Sequence, residues 1–255
     1  MDASTFTPVV WAMLLVSALL QGVSKGGVPG VSILAIPLVA QVIPGKAATG
    51  LILPMLILGD LFALAYWRRS ASWRDLLRAL PWALAGVVAG AVFLDRIDDR
   101  FMRPVIGWII LAILAVHVWR RYRTPHAAEG AAAADHPARR HLFAAFMGSM
   151  GGFTTMVANA AGPVMGMYFL ALRLSKATFL GTSAWYFFIV NWVKVPFMVR
   201  LDMITLPSLK VNLLMAPALV MGVVVGVFIA RRVNQKVFDL AVTLLTALAC
   251  ARLLL

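Results

Sequence analysis

Long apolar runs separated by short polar loops dominate the chain. Residues 51–67, 79–94, 105–119, 179–193 and 213–230 are almost entirely apolar, and such runs approach or reach the ~20 residues that cross a bilayer as a helix. Prolines and glycines inside these runs argue against a β-barrel, whose strands alternate in polarity over about ten residues. The pattern predicts ten helical elements: 8–23, 31–43, 47–67, 77–94 and 102–119, then 141–150, 154–172, 177–199, 208–230 and 236–254. Between the two sets lies a polar, Ala-rich stretch bounded by Pro125 and Pro137. The expected organisation is therefore a first membrane repeat over 1–123, a crossover linker over 124–140 and a second membrane repeat over 141–255.

Composition agrees with that pattern. Of 255 residues, 62% are hydrophobic and 13% charged, and the mean hydropathy is +0.90. A soluble domain is nearer half apolar and a quarter charged. The net charge is +13, which in a soluble protein suggests nucleic acid. Here most of it sits in short loops between apolar runs, where it acts as a topology signal, so no nucleic-acid partner is expected. Residues 1–30 do not read as a secretory signal, because Asp2 but no Lys or Arg precedes the first apolar run. Cys250 is the only cysteine, so no intrachain disulfide can form. The spacing of His126, His136 and His141 fits no familiar metal-ligand pattern, and no cofactor is expected.

The two halves echo each other. Lys46-Ala47 corresponds to Lys176-Ala177, Pro37 to Pro163, Pro81 to Pro217, and Gly86-x-x-x-Gly90 to Gly222-x-x-x-Gly226. Five elements per half is an odd number, so the second half enters the membrane upside down. The predicted fold is thus an all-α polytopic membrane protein of two inverted repeats, with broken or half-helices at the first two elements of each. Fourteen Lys and Arg residues then fall in loops on one side, among them Arg68, Arg69, Arg74, Arg78, Arg139 and Arg140, against seven on the other. That bias places the N-terminus and the C-terminus outside.

Two stretches interrupt their helices with glycine and hydroxyl residues: Gly22-Val23-Ser24-Lys25-Gly26-Gly27-Val28-Pro29-Gly30, and Gly148-Ser149-Met150-Gly151-Gly152-Phe153-Thr154-Thr155. Matching breaks in two halves point to a transporter's binding site. Bare backbone groups are intolerable in lipid, so such breaks must face protein or a watery cavity. A helix starting there offers free N–H groups and a positive dipole end, which suits an anion. Gly26 and Gly27 shape the first break, and Ser24, Ser32, Thr154 and Thr155 add hydroxyl donors. Asn159 adds an amide for an oxyanion or a helix end. The competing reading is that small residues four apart, as in Gly148/Gly152, only let helices pack closely.

Charges at membrane depth are costly and usually functional. Asp60 lies near the centre of its segment, as a proton carrier or a counter-ion to a lysine. Lys25 sits inside the first break, either holding the anion or reaching for headgroups. Ser183, Asn191 and Lys194 share one helical face, which suggests a lined cavity, with snorkelling of Lys194 as the rival reading.

The break leading to Pro37, its echo ending Asn159-Ala160-Ala161-Gly162-Pro163, and the later Asn191-Trp192-Val193-Lys194-Val195-Pro196 resemble the sulfite exporter TauE/SafE family, also called the toluenesulfonate uptake permease family. The resemblance covers nearly the whole chain. It implies an inner-membrane carrier of sulfur-containing anions such as sulfite or organosulfonates, coupled to protons. Many relatives carry a longer glycine run in the first break, where this chain has Ser24-Lys25-Gly26-Gly27. The resulting expectation is a secondary transporter of a small anion, with substrate contacts from the residues of the two breaks plus Asn191 and Lys194, and proton coupling through Asp60. The alternatives are a passive anion channel and, more remotely, an intramembrane enzyme. No nucleotide-binding motif occurs, so ATP is not expected to drive transport unless a partner supplies the ATPase, and no convergent acid–base or nucleophile set stands out, so an enzyme is not expected.

Overall fold

The computed structural model describes residues 6–27, 31–123 and 137–232. Within them the chain forms nine α-helices and a 3-10 turn at Arg68–Ser70, with no strand. In order, the helices are α1 Pro8–Lys25, α2 Ser32–Val42, α3 Gly45–Trp67, α4 Trp73–Arg96, α5 Asp99–Arg123, α6 Pro137–Ala158, α7 Ala161–Ala171, α8 Lys176–Arg200 and α9 Leu206–Arg232. Among the described residues, four helical spans are long and apolar enough to cross a membrane: Pro8–Lys25, Gly45–Ser70, Trp73–Arg96 and Leu206–Phe228. The protein is a multi-pass helical membrane protein. The expected last element, 236–254, and most of the expected linker, 124–136, lie outside the described residues; 137–140 already belong to α6.

The helix ends follow local chemistry. Thr7 caps α1 by accepting from the Val10 N–H at 3.4 Å, with Pro8 in the first turn, where its missing N–H costs nothing. α1 ends at Lys25, and Gly27 follows at φ 123°, a conformation closed to L side chains. α2 starts without a side-chain cap among the described residues, and its Leu34 N–H turns back to the Val31 carbonyl at 3.1 Å. Ser175 caps α8, accepting from Thr178 N–H at 3.2 Å.

Two expectations about the breaks need correction. The second break is not at Gly148–Thr155: α6 runs unbroken through that stretch and ends at Ala158. Asn159 makes the turn at φ 50°, a left-handed conformation that asparagine tolerates. Its N–H bonds the Thr155 carbonyl at 3.0 Å, and the Ala160 N–H bonds the Thr154 carbonyl at 3.2 Å. The glycines serve packing instead. A Cβ on Gly151 would stand 2.8 Å from Met165 Sδ and 3.0 Å from the Tyr186 hydroxyl, and one on Gly152 would run into the Ala83 backbone. The first element of each half is not short; only the second is. α1 and α6 have 18 and 22 residues, while α2 and α7 have 11 each. Eleven residues rise about 16 Å, roughly half the hydrocarbon core. Pro37 lies in the middle of α2 and Pro163 in the first turn of α7, so these prolines are not equivalent.

Two long interfaces frame the molecule, α1 on α9 and α4 on α6. Both are closed by glycines. Gly22 and Gly26 face the backbone of Leu219 to Val227, and Gly222 and Gly226 face Leu19 and Val23 in return. Gly86 faces Ser149 and Phe153, while Gly148 and Gly152 face Ala79 and Ala83. Backbones can approach this closely only where a Cβ is missing. The matching numbers rise together in each pair, so the paired helices run parallel. Between the two frames, α3 and α8 cross antiparallel: Gly181 lies against Trp67, Asn191 reaches Asp60, and Gly50 lies against Met203.

Candidate functional site

Polar side chains join the end of α1 to the end of α6 through the crossing of α3 and α8. Asp60, on α3, is fully buried. Its Oδ1 accepts from Lys25 Nζ of α1, and its Oδ2 accepts from Asn191 Nδ2 of α8 at 2.7 Å. Lys194, one turn beyond Asn191, is also fully buried. Its Nζ donates to Asn191 Oδ1 at 3.3 Å, to Asn159 Oδ1 at 2.6 Å and to Thr155 Oγ1 at 3.2 Å. Asn159 Nδ2 in turn donates to the Thr49 carbonyl at 2.9 Å, and Thr49 Oγ1 bonds the Val157 carbonyl at 3.2 Å. The direction of every amide is dictated, because a carboxylate only accepts and an ammonium only donates.

Lys25 is positioned from two further sides. Its stem lies on Gly59, where an added Cβ would stand 2.8 Å from Lys25 Cγ. Its Nζ sits 4.9 Å from the centre of the Phe187 ring, an attractive placement for a cation. The lysine is thus turned into the protein and does not run out toward headgroups. Lys194 is likewise held inward, which removes the snorkelling reading.

The charge count is uneven. The network contains two lysine amines and one carboxyl group. Lys25 has that carboxyl group as its partner, whereas the three hydrogen bonds of Lys194 all end on neutral oxygens. Burying an ammonium is costly unless an opposite charge meets it. The arrangement can accept one further negative charge.

Sequence reasoning placed most of this network. Lys25, Asp60, Thr155, Asn159, Asn191 and Lys194 come together. Ser24 and Ser32 meet each other at 3.2 Å beside Lys25, where α2 begins. Gly27 forms the turn. Gly26 instead backs onto Gly226 of α9. Thr154 spends its hydroxyl on its own helix, bonding the Met150 carbonyl at 2.8 Å. Three participants were missed: Gly59, Thr49 and Phe187. A glycine next to the lone mid-helix carboxylate was a signal for Gly59; nothing in the sequence marked the other two.

A second polar cluster ties α4 to α6. Asp75 accepts from Ser72 Oγ at 2.7 Å and from Arg78 and Arg140, each at 3.3 Å. It lies at the end of the bundle where Trp185 Nε1 bonds the Arg68 carbonyl, and so gathers the basic loops on one side.

The search of curated proteins and the search of solved structures each found no match. A family model described as "Sulfite exporter TauE/SafE" matches residues 13–253, nearly the whole chain. The chain belongs to the TauE/SafE sulfite exporter family of membrane transporters.

Proposed function

We propose that the protein is a secondary, proton-coupled transporter of a small sulfur-containing anion, such as sulfite or an organosulfonate, across the inner membrane. The observation that carries this reading is the buried Lys194 ammonium, held by neutral oxygens alone, beside a Lys25–Asp60 pair. An anion entering between the lysines completes the charge balance. The uncapped start of α2 and the Ser24–Ser32 hydroxyls add donors at one end, and Thr155 and Asn159 at the other.

Asp60 is the proton carrier in this scheme. When the anion draws Lys25 away, a carboxylate left alone at depth is neutralised by a proton. Release of the anion returns Lys25 to Asp60 and frees that proton.

The two membrane repeats are inverted in this reading. Support comes from the recurring helix lengths and from reciprocal pairing: the first helix of each half lies parallel to the fourth of the other, and the third helices cross antiparallel. The glycine-locked frames oppose a simple rocking of one sequence half against the other. The change of access therefore falls to α3 and α8 and to the short α2 and α7. Gathering of Arg68, Arg78 and Arg140 at one end supports an outside N-terminus and C-terminus.

The test is flux in proteoliposomes with sulfite and short sulfonates, with and without a pH gradient. Saturable flux that follows the gradient is expected, and Asp60→Asn should keep anion binding while flattening the response to pH. Fast flux that never couples to a gradient would establish a passive channel instead.

A further inference from the structure

Gln21 of α1 is buried with no hydrogen-bond partner among the described residues. It is 1% exposed, and neither its Nε2 nor its Oε1 makes a hydrogen bond. A buried amide with both ends unpaired is expensive, and in a transporter such a group faces what the protein carries. Its place on α1 supports this. Ser17, one turn before, donates to the Ala35 carbonyl of α2 at 3.4 Å. Ser24, three residues on, bonds Ser32 at the start of α2. Lys25, four residues on, reaches Asp60 of α3. At 3.6 residues per turn, Gln21 points between the directions of α2 and α3, one turn from Lys25. A neighbouring face of α1, about 100–140° round the helix from Gln21, is locked on α9 by Gly22 and Gly26.

Resting on the anion reading above, we infer that Gln21 contacts the solute and selects anions that keep one hydrogen-bond donor. A primary amide offers two donors and one acceptor. An anion with lone pairs alone satisfies the N–H groups and leaves Oε1 bare. A singly charged oxyanion that retains an O–H or N–H satisfies both ends. The preferred solute is thus a small monoanionic oxyacid carrying one proton, rather than a fully deprotonated dianion or an alkylsulfonate.

Sulfamate and methanesulfonate test this at a single pH. Both are monoanions of similar shape, and they differ by an amino group in place of a methyl. Binding is measured by calorimetry on the full-length purified protein in nanodiscs. The wild type should bind sulfamate about 5- to 10-fold more tightly. Gln21→Met should erase that preference by lowering sulfamate affinity more than methanesulfonate affinity, and should not lower the melting temperature of the solute-free protein. Equal affinities in the wild type, or a preference that survives in Gln21→Met, would overturn the role of Gln21 alone. Binding of neither anion by the folded wild type would overturn the anion site together with it.

Discussion

The two helix breaks occupy matching places and solve the same problem with different chemistry. At the first, α1 ends in a glycine turn, and the lysine beside it is paired with a buried carboxylate. At the second, α6 ends on a left-handed asparagine, and the lysine that reaches it finds only neutral oxygens. The backbone plan is shared, but the electrostatics are not. The difference teaches that a similar helix-ending turn can frame a site twice, while the charge at each is set by a few unmatched side chains. One break is internally balanced, and the other is short of a negative charge.

Several substitutions separate the two. Asp60→Ala should be the most damaging, because it strands Lys25. Removing one partner of a buried pair costs about 3–5 kcal/mol, read as a lower melting temperature in detergent. Lys194→Met should cost less stability than Asp60→Ala, because Lys194 meets the Asp60 carboxylate only through Asn191, while anion affinity falls about 10- to 100-fold by calorimetry. Equal stability losses in the two variants would erase the proposed asymmetry. Gly59→Ala should press on the Lys25 stem and cost about 1–3 kcal/mol; a neutral outcome would mean that the lysine is not seated there. The smallest effect is expected from Asn159→Gly, which keeps the left-handed turn and loses only the amide. Asn159→Ala should be worse by about 1 kcal/mol, since it adds the backbone penalty. No difference between these two variants would show that the turn is not held at Asn159.

The sequence showed the charged members of the site better than their setting. Asp60, Lys25 and Lys194 stand out because charge at depth is costly, whatever it touches. Asn191 stood out through its one-turn spacing from Lys194. The break in the second half was misplaced, because Gly151 and Gly152 read as helix breakers. In a crowded membrane bundle they are instead the residues that let α6 approach Ala83, Met165 and Tyr186. A single left-handed asparagine does the breaking, and one residue carries no periodic signal. Thr49 and Phe187 were invisible for a similar reason. Thr49 meets Asn159 across 110 positions of chain, and only the fold brings them together. Nine of the ten expected helices and the short α2 were legible from apolar run length, and the tenth lies outside the described residues.

A crystal structure with selenite, read by selenium anomalous scattering, tests the central claim most directly. The account predicts a selenium peak between Lys25 and Lys194, with an oxygen of the anion on Lys194 Nζ in place of at least one of Asn159, Thr155 and Asn191. A saturating soak with the peak elsewhere, and with Lys194 still holding its three neutral partners, would contradict it.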